Sequence, residues 1–102
     1  MPTDERYLQL LEKKIDVCNA QIKALQSQAL QADLELKIDC RHCIDRLRTK
    51  QQRLEQKLDD LRTAGSDAWD ELRLGADIAV RDLGDALQSA INHFNAAQHA
   101  RR

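Results

Sequence analysis

Between Pro2 and Gly65 the chain contains no glycine and no proline, and the whole of its 102 residues holds only three glycines and one proline. That absence leaves the backbone few places to turn and excludes a fold of many short elements joined by tight turns. Aromatic residues are equally scarce, one each of Trp, Tyr and Phe, which excludes a compact core built on ring packing. No apolar run approaches the roughly 18 residues of a membrane-spanning helix. The opening segment, Met1-Pro2-Thr3-Asp4-Glu5-Arg6, is polar and acidic and lacks the apolar centre of a signal peptide. The net charge of −1 weighs against a general nucleic-acid binder, which would be basic. Three cysteines are an odd number, with no disulfide framework around them, and read as reduced thiols in a cytoplasmic protein.

What is present is helix-forming. Leu, Gln, Lys, Arg, Glu and Ala fill the breaker-free run, so the expectation is one helix over 3–64. At 1.5 Å per residue it would reach roughly 90 Å. Thr3 suits its N-cap, and Asp4 and Glu5 oppose the helix dipole favourably. Apolar or small residues recur at Leu8, Leu11, Ile15, Cys18, Ile22, Leu25, Ala29, Ala32 and Leu36, with gaps alternating three and four. That is a heptad seam. It resumes at Ile44, Leu47, Gln51, Leu54, Leu58 and Leu61, after two successive steps of four through Cys40. This is a stutter, which locally unwinds a supercoil. Around it Leu30, Leu34 and Ile38 form a second apolar stripe.

Thr63-Ala64-Gly65-Ser66-Asp67 is the one clear punctuation. Gly65 suits a helix C′ position, and Ser66 or Asp67 the next N-cap. The turn is expected at 65–67, a second helix over 68–98 and a frayed tail over 99–102. The second helix repeats every eleven residues, in segments beginning at Ala68, Ala79 and Ala90, so its stripe stays nearly straight. A short turn favours antiparallel neighbours. Charge agrees: residues 41–62 carry a net three positive charges and residues 69–90 a net three negative, which favours partner choice more than stability. The fold class is therefore all-α, a long helix and a shorter one in an antiparallel coiled-coil hairpin, forming an extended rod.

The shorter helix can cover only about half of the longer. Leu8, Leu11, Ile15, Cys18, Ile22 and Leu25 are left bare, and a bare seam invites association. The expected remedy is a second copy of the chain, a dimer first, with a protein partner as the alternative. A kink near Gln26-Ser27-Gln28 closing a three-helix monomer is less favoured, because no breaker supports it.

Cys40-Arg41-His42-Cys43 is the only stretch resembling site chemistry. Two thiols at C-x-x-C spacing suit zinc, and a hairpin would bring His93 opposite. Cys40, Cys43 and His93 are thus metal candidates, or the thiols a redox pair. Core packing outweighs both readings, because Cys40 and Cys43 fall on the seam side and no second C-x-x-C exists. No cofactor is implied. His99 and His93 read as solvated surface polars, Trp69 as a plug against Leu58, Leu61 or Arg62, and Arg101-Arg102 as a terminal charge pair. No Ser/His/Asp set, phosphate loop or carboxylate pair is apparent, and a thin rod encloses no pocket, so an enzyme is not expected. Eleven-residue repeats also occur in lipid-surface helices, but residues 67–98 carry six acids against Arg73 and Arg81, the wrong charge for anionic lipid.

The run Ala64-Gly65-Ser66-Asp67-Ala68-Trp69-Asp70-Glu71-Leu72, after a long Leu/Gln/Lys helix, resembles a family of small bacterial coiled-coil proteins with an eleven-repeat amphipathic tail. The resemblance implies a stress-response setting and supplies no catalytic residues. Cys40, Cys43, Gly75 and Gly84 depart from that pattern. The functional expectation is a non-enzymatic protein acting by self-association or protein–protein contact. A metal or thiol-redox sensor and a lipid-surface binder are the alternatives.

Overall fold

The computed structural model describes residues 5–100. The expected cap at Thr3, the acids beside it and the Arg101-Arg102 pair lie outside the described residues, apart from Glu5 in the first helical turn. The described residues form three helices, α1 (Glu5–Leu30), α2 (Leu34–Thr63) and α3 (Ser66–Ala100). They pack lengthwise as a slender bundle of 55 × 18 × 16 Å.

The expected single helix over 3–64 is broken, and the break falls at Gln31-Ala32-Asp33 rather than at Gln26-Ser27-Gln28. No glycine or proline causes it. The last turn of α1 tightens, with the amides of Gln31 and Ala32 donating to the carbonyls of Gln28 and Ala29 at 3.2 and 3.1 Å, a 3₁₀-type closure. Asp33 then leaves the helical region at φ −65°, ψ 166°, and its carboxylate accepts from the Leu36 amide at 3.0 Å. An aspartate N-cap is worth about 1 kcal/mol. The larger stabilisation comes from folding α1 back, which buries its apolar stripe.

The second turn is shorter than expected. Ala64 is extended at φ −73°, ψ 144°, and α3 begins at Ser66, one to two residues before the Ser66 or Asp67 cap would allow. Gly65 carries no positive φ, so it does not serve as a left-handed C′ residue. Instead its carbonyl accepts from the Ala68 amide at 3.2 Å. At its other end α3 runs to Ala100, through the first two residues of the expected frayed tail.

One core runs the length of the bundle. Leu8, Leu11, Ile15, Ile22, Leu25 and Ala29 of α1 meet Leu36, Cys40, Ile44, Leu47, Leu54, Leu58 and Leu61 of α2, and Trp69, Ala76, Leu83, Leu87 and Phe94 of α3. The heptad positions on both sides of the stutter are thus interior positions. Contacts fix the directions. Lys50 pairs with Asp82 at 2.7 Å, and a Cβ on Gly75 would meet the Lys57 side chain at 3.5 Å, so α2 and α3 are antiparallel. Gly75 is therefore not a point of close backbone packing. Arg48 reaches Asn19 at 2.8 Å and Arg62 pairs with Glu12, so α1 and α2 are antiparallel too.

Candidate functional site

The seam expected to mediate self-association is spent inside the chain. Leu8, Leu11, Ile15, Ile22 and Leu25 are 0–7% exposed, and Cys18 packs half-buried at the edge of the same core. In this fold α2 and α3 cover the stripe that a second copy was expected to cover. The physical reason is the reversal at residues 31–33, which splits the expected long helix in two and gives the chain three helices instead of two.

At the end of the bundle that carries the α2–α3 turn, α1 and α3 are joined by Tyr7, which the sequence pattern does not single out. Its hydroxyl donates to Asp77 Oδ1 at 2.5 Å. Its ring meets Trp69 edge-on, centroids 5.6 Å apart, and the Arg73 guanidinium lies 4.5 Å above it. Burial and then the Asp77 carboxylate push the Tyr7 hydroxyl well above its ordinary pKa. Trp69 is buried as expected, but Trp69 Nε1 has no hydrogen-bond partner among the described residues. Leaving it so costs about 1–3 kcal/mol, which the aromatic burial around it offsets. The cluster is a clasp, closed within the chain.

Midway along, Arg48 of α2 crosses to α1. Its guanidinium donates to Asn19 at 2.8 Å, Gln51 at 2.8 Å and Gln26 at 3.0 Å. All three acceptors are amide oxygens. Gln51 is buried, so its seam position is a polar break in the core that Arg48 satisfies. A lone glutamine within a leucine seam was the available signal for this network.

The cysteine face is divided. Cys40 points into the core at 4% exposure; burial, then Cys43, then Asp39 push its thiol up. Burial raises Cys18 likewise. Both are thereby held as thiols, the form that neither attacks nor ligates well. Cys43 and His93 do come together, lining a groove between α2 and α3 of about 350 Å³ with Arg46, Lys50, Ala86 and Ser89. Two of the three metal candidates thus share a surface, flanked by cations. No group of three or more His, Cys, Asp or Glu residues that could hold a metal exists among the described residues.

Surface apolar groups form the remaining feature. Leu74 and Ile78 are each 62% exposed and sit on α3 two positions either side of buried Ala76, hence on its outward face. Leu10 and Val17 are 50% and 57% exposed on α1. At the opposite end Leu30, Leu34 and Ile38 are 71%, 72% and 48% exposed, beside an α1–α2 groove of about 740 Å³ lined by Lys23, Gln26, Leu30, Lys37, Arg41 and Ile44. Among the described residues no helix is long and apolar enough to cross a membrane. The chain matches no protein-family model, no curated protein and no solved structure.

Proposed function

We propose that this chain is a non-enzymatic helical protein that acts by association, with a second copy of itself first and a protein partner as the alternative. The observation that carries this reading is the exposure of seven large apolar side chains among the described residues, 48–72% accessible, on a bundle whose core is already closed. Isolated surface leucines need no explanation, but helix-spaced groups of them point to contact. The association surface in this reading is no longer the Leu8–Leu25 seam, because that stripe is internal. It is the outward residues, above all Leu30, Leu34 and Ile38 at the α1–α2 turn. A coiled-coil assembly, a cytoplasmic setting and the stress-related role implied by the resemblance belong to the same proposal.

Sedimentation equilibrium over about 5–500 µM tests it, with an affinity capture from cell extract alongside. A mass that rises with concentration, or capture of one protein at fixed stoichiometry that Leu30→Ser plus Ile38→Ser abolishes, is the expected result. A monomer at every concentration together with no such capture would overturn it.

A further inference from the structure

Leu30, Leu34 and Ile38 are spaced four apart, the spacing of one stripe along one helix. In the bundle they are divided between two helices, with the turn running through the middle of them. The closed form makes no use of that spacing.

The turn itself is made of residues that a helix accepts. Gln31, Ala32 and Asp33 include no breaker, and no described residue takes a positive φ. Two of the three amides already make helix-like bonds to the preceding turn. The local device holding the reversal is Asp33, extended and capping Leu36. Asp33 already has a helical φ, and rotating its ψ from 166° to about −42° is the main torsional change that lets the helix run on.

The faces remain in register when it does. Eighteen residues make five full helical turns. Buried Ile22 and Cys40 are separated by that interval, as are buried Ala29 and Leu47. So are Lys23 and Arg41, and Gln26 and Ile44, which line the α1–α2 groove from either side. In a continuous helix over 5–63, the side of α1 that meets α2 and the side of α2 that meets α1 therefore become one face. The core-facing sides also become one.

We infer that the chain has a second form, a domain-swapped dimer. In it residues 31–33 are helical, α1 and α2 are one helix, and α1 seats on α2 and α3 of a second copy. Every contact that α1 makes in the closed bundle is remade between chains, while α2 and α3 stay paired within one chain, so the two forms differ mainly at the hinge. Arg48 reaches both Asn19 and Gln26 and Arg62 pairs with Glu12, which brackets the antiparallel register between midpoints near residues 33 and 37. Carried to a two-fold axis within that interval, the register brings the Leu30–Leu34–Ile38 stripe of one copy against the same stripe of the other. The apolar groups exposed in the monomer thus become the interface that only the dimer has. Because the stripe is complementary to itself about Leu34, a second copy is the occupant that fits. This inference rests on the self-association reading and names its route.

Two hinge substitutions push in opposite directions. Leu34→Pro suits the closed form, since proline is favoured at the first helical position and Asp33 already has the extended ψ of a residue before proline. It forbids the continuous helix. Asp33→Ala removes the cap and favours the continuous helix by about 5-fold per hinge, about 25-fold per dimer. After refolding at high concentration, the native chain is expected to give a dimer by sedimentation, Asp33→Ala more of it, and Leu34→Pro none. The swap is read directly by spin labels at Lys23→Cys and Asp45→Cys in a chain with Cys18, Cys40 and Cys43 replaced by alanine, diluted with unlabelled chain. Both sites line one groove in the closed form, whereas 22 residues of continuous helix separate them by about 33 Å. A dimer showing the longer distance supports the swap. A dimer that keeps the short distance, or that persists in Leu34→Pro, overturns the swap while leaving self-association standing. No dimer in any variant overturns both.

Discussion

Tyr7→Phe isolates the clasp between α1 and α3. The substitution removes one oxygen and leaves the ring, its edge-on contact with Trp69 and the stacked Arg73 in place. What is lost is a 2.5 Å hydrogen bond to Asp77. Bonds to charged groups contribute about 1.5–3 kcal/mol. Asp77 is exposed and regains water when the hydroxyl is gone, so the lower end applies, about 1–1.5 kcal/mol at pH 7. For a chain of this size that is about 4–8 °C in Tm. The pH dependence carries a sharper test. Burial and Asp77 raise the Tyr7 pKa in the folded state above its unfolded value near 10. Above that pH the unfolded chain releases the phenolic proton and the folded chain holds it. Native chain therefore loses up to about 1.4 kcal/mol per pH unit, a contribution fully present below pH 10 and absent from Tyr7→Phe. Any other group that titrates in the same range does so in both proteins. Urea denaturation of the pair at pH 7, 8, 10 and 11 should show the native advantage steady to about pH 9, then shrinking to zero or reversing by pH 11. An advantage that stays constant from pH 8 to 11 would refute the placement of Tyr7 in a buried, proton-retaining contact.

Three further outcomes follow from the packing. Ile22 is fully buried, and Ile22→Ala should cost about 3–4 kcal/mol in denaturant unfolding; a loss under 1 kcal/mol would mean that α1 is not seated in the core. Arg48→Ala strands the buried Gln51 amide and should cost about 1–3 kcal/mol, whereas Gln51→Leu, which leaves Arg48 two amide partners, should be close to neutral; equal losses would contradict the assignment of donor and acceptor. Gly84 lies mid-helix with nothing within 4 Å of a built Cβ, so Gly84→Ala should raise stability by about 0.5–1 kcal/mol, visible as a higher Tm by circular dichroism.

Periodicity made the core legible and chain reversal illegible. Leu8 through Leu25 and Ile44 through Leu61 were recognisable as interior positions because a heptad marks the side that is covered. The pattern does not say by what. A three-helix bundle and a long-helix dimer bury the same residues on the same faces, and the interval of five helical turns linking Ile22 to Cys40 makes the ambiguity nearly complete. Asp33 was the local sign of the break, an N-cap residue followed by Glu35 in the first turn. It was outweighed by the absence of glycine and proline, yet neither is required when the reversal uses only ordinary φ values. Nothing local marks Tyr7, because its partners Arg73 and Asp77 are 66 and 70 residues away. Gln51 occupies a seam position, but its need for Arg48 is a tertiary fact. The sequence places Cys40 and Cys43 together on the seam side, but residues three apart on a helix diverge by about 60°, and only Cys40 is buried.

The edge-on contact between Tyr7 and Trp69 gives the molecule a built-in reporter. Trp69 is the sole tryptophan, it is 5% exposed, and the ring against it comes from the first helix. Its emission therefore senses whether the N-terminal helix is docked on the C-terminal one, before any label is attached. Undocking by local opening would redden the emission while most helicity remains. Exchange of α1 between chains would restore the native spectrum, because another Tyr7 takes the vacated place. Fluorescence and far-ultraviolet dichroism followed together can thus separate detachment of one helix from collapse of the whole bundle.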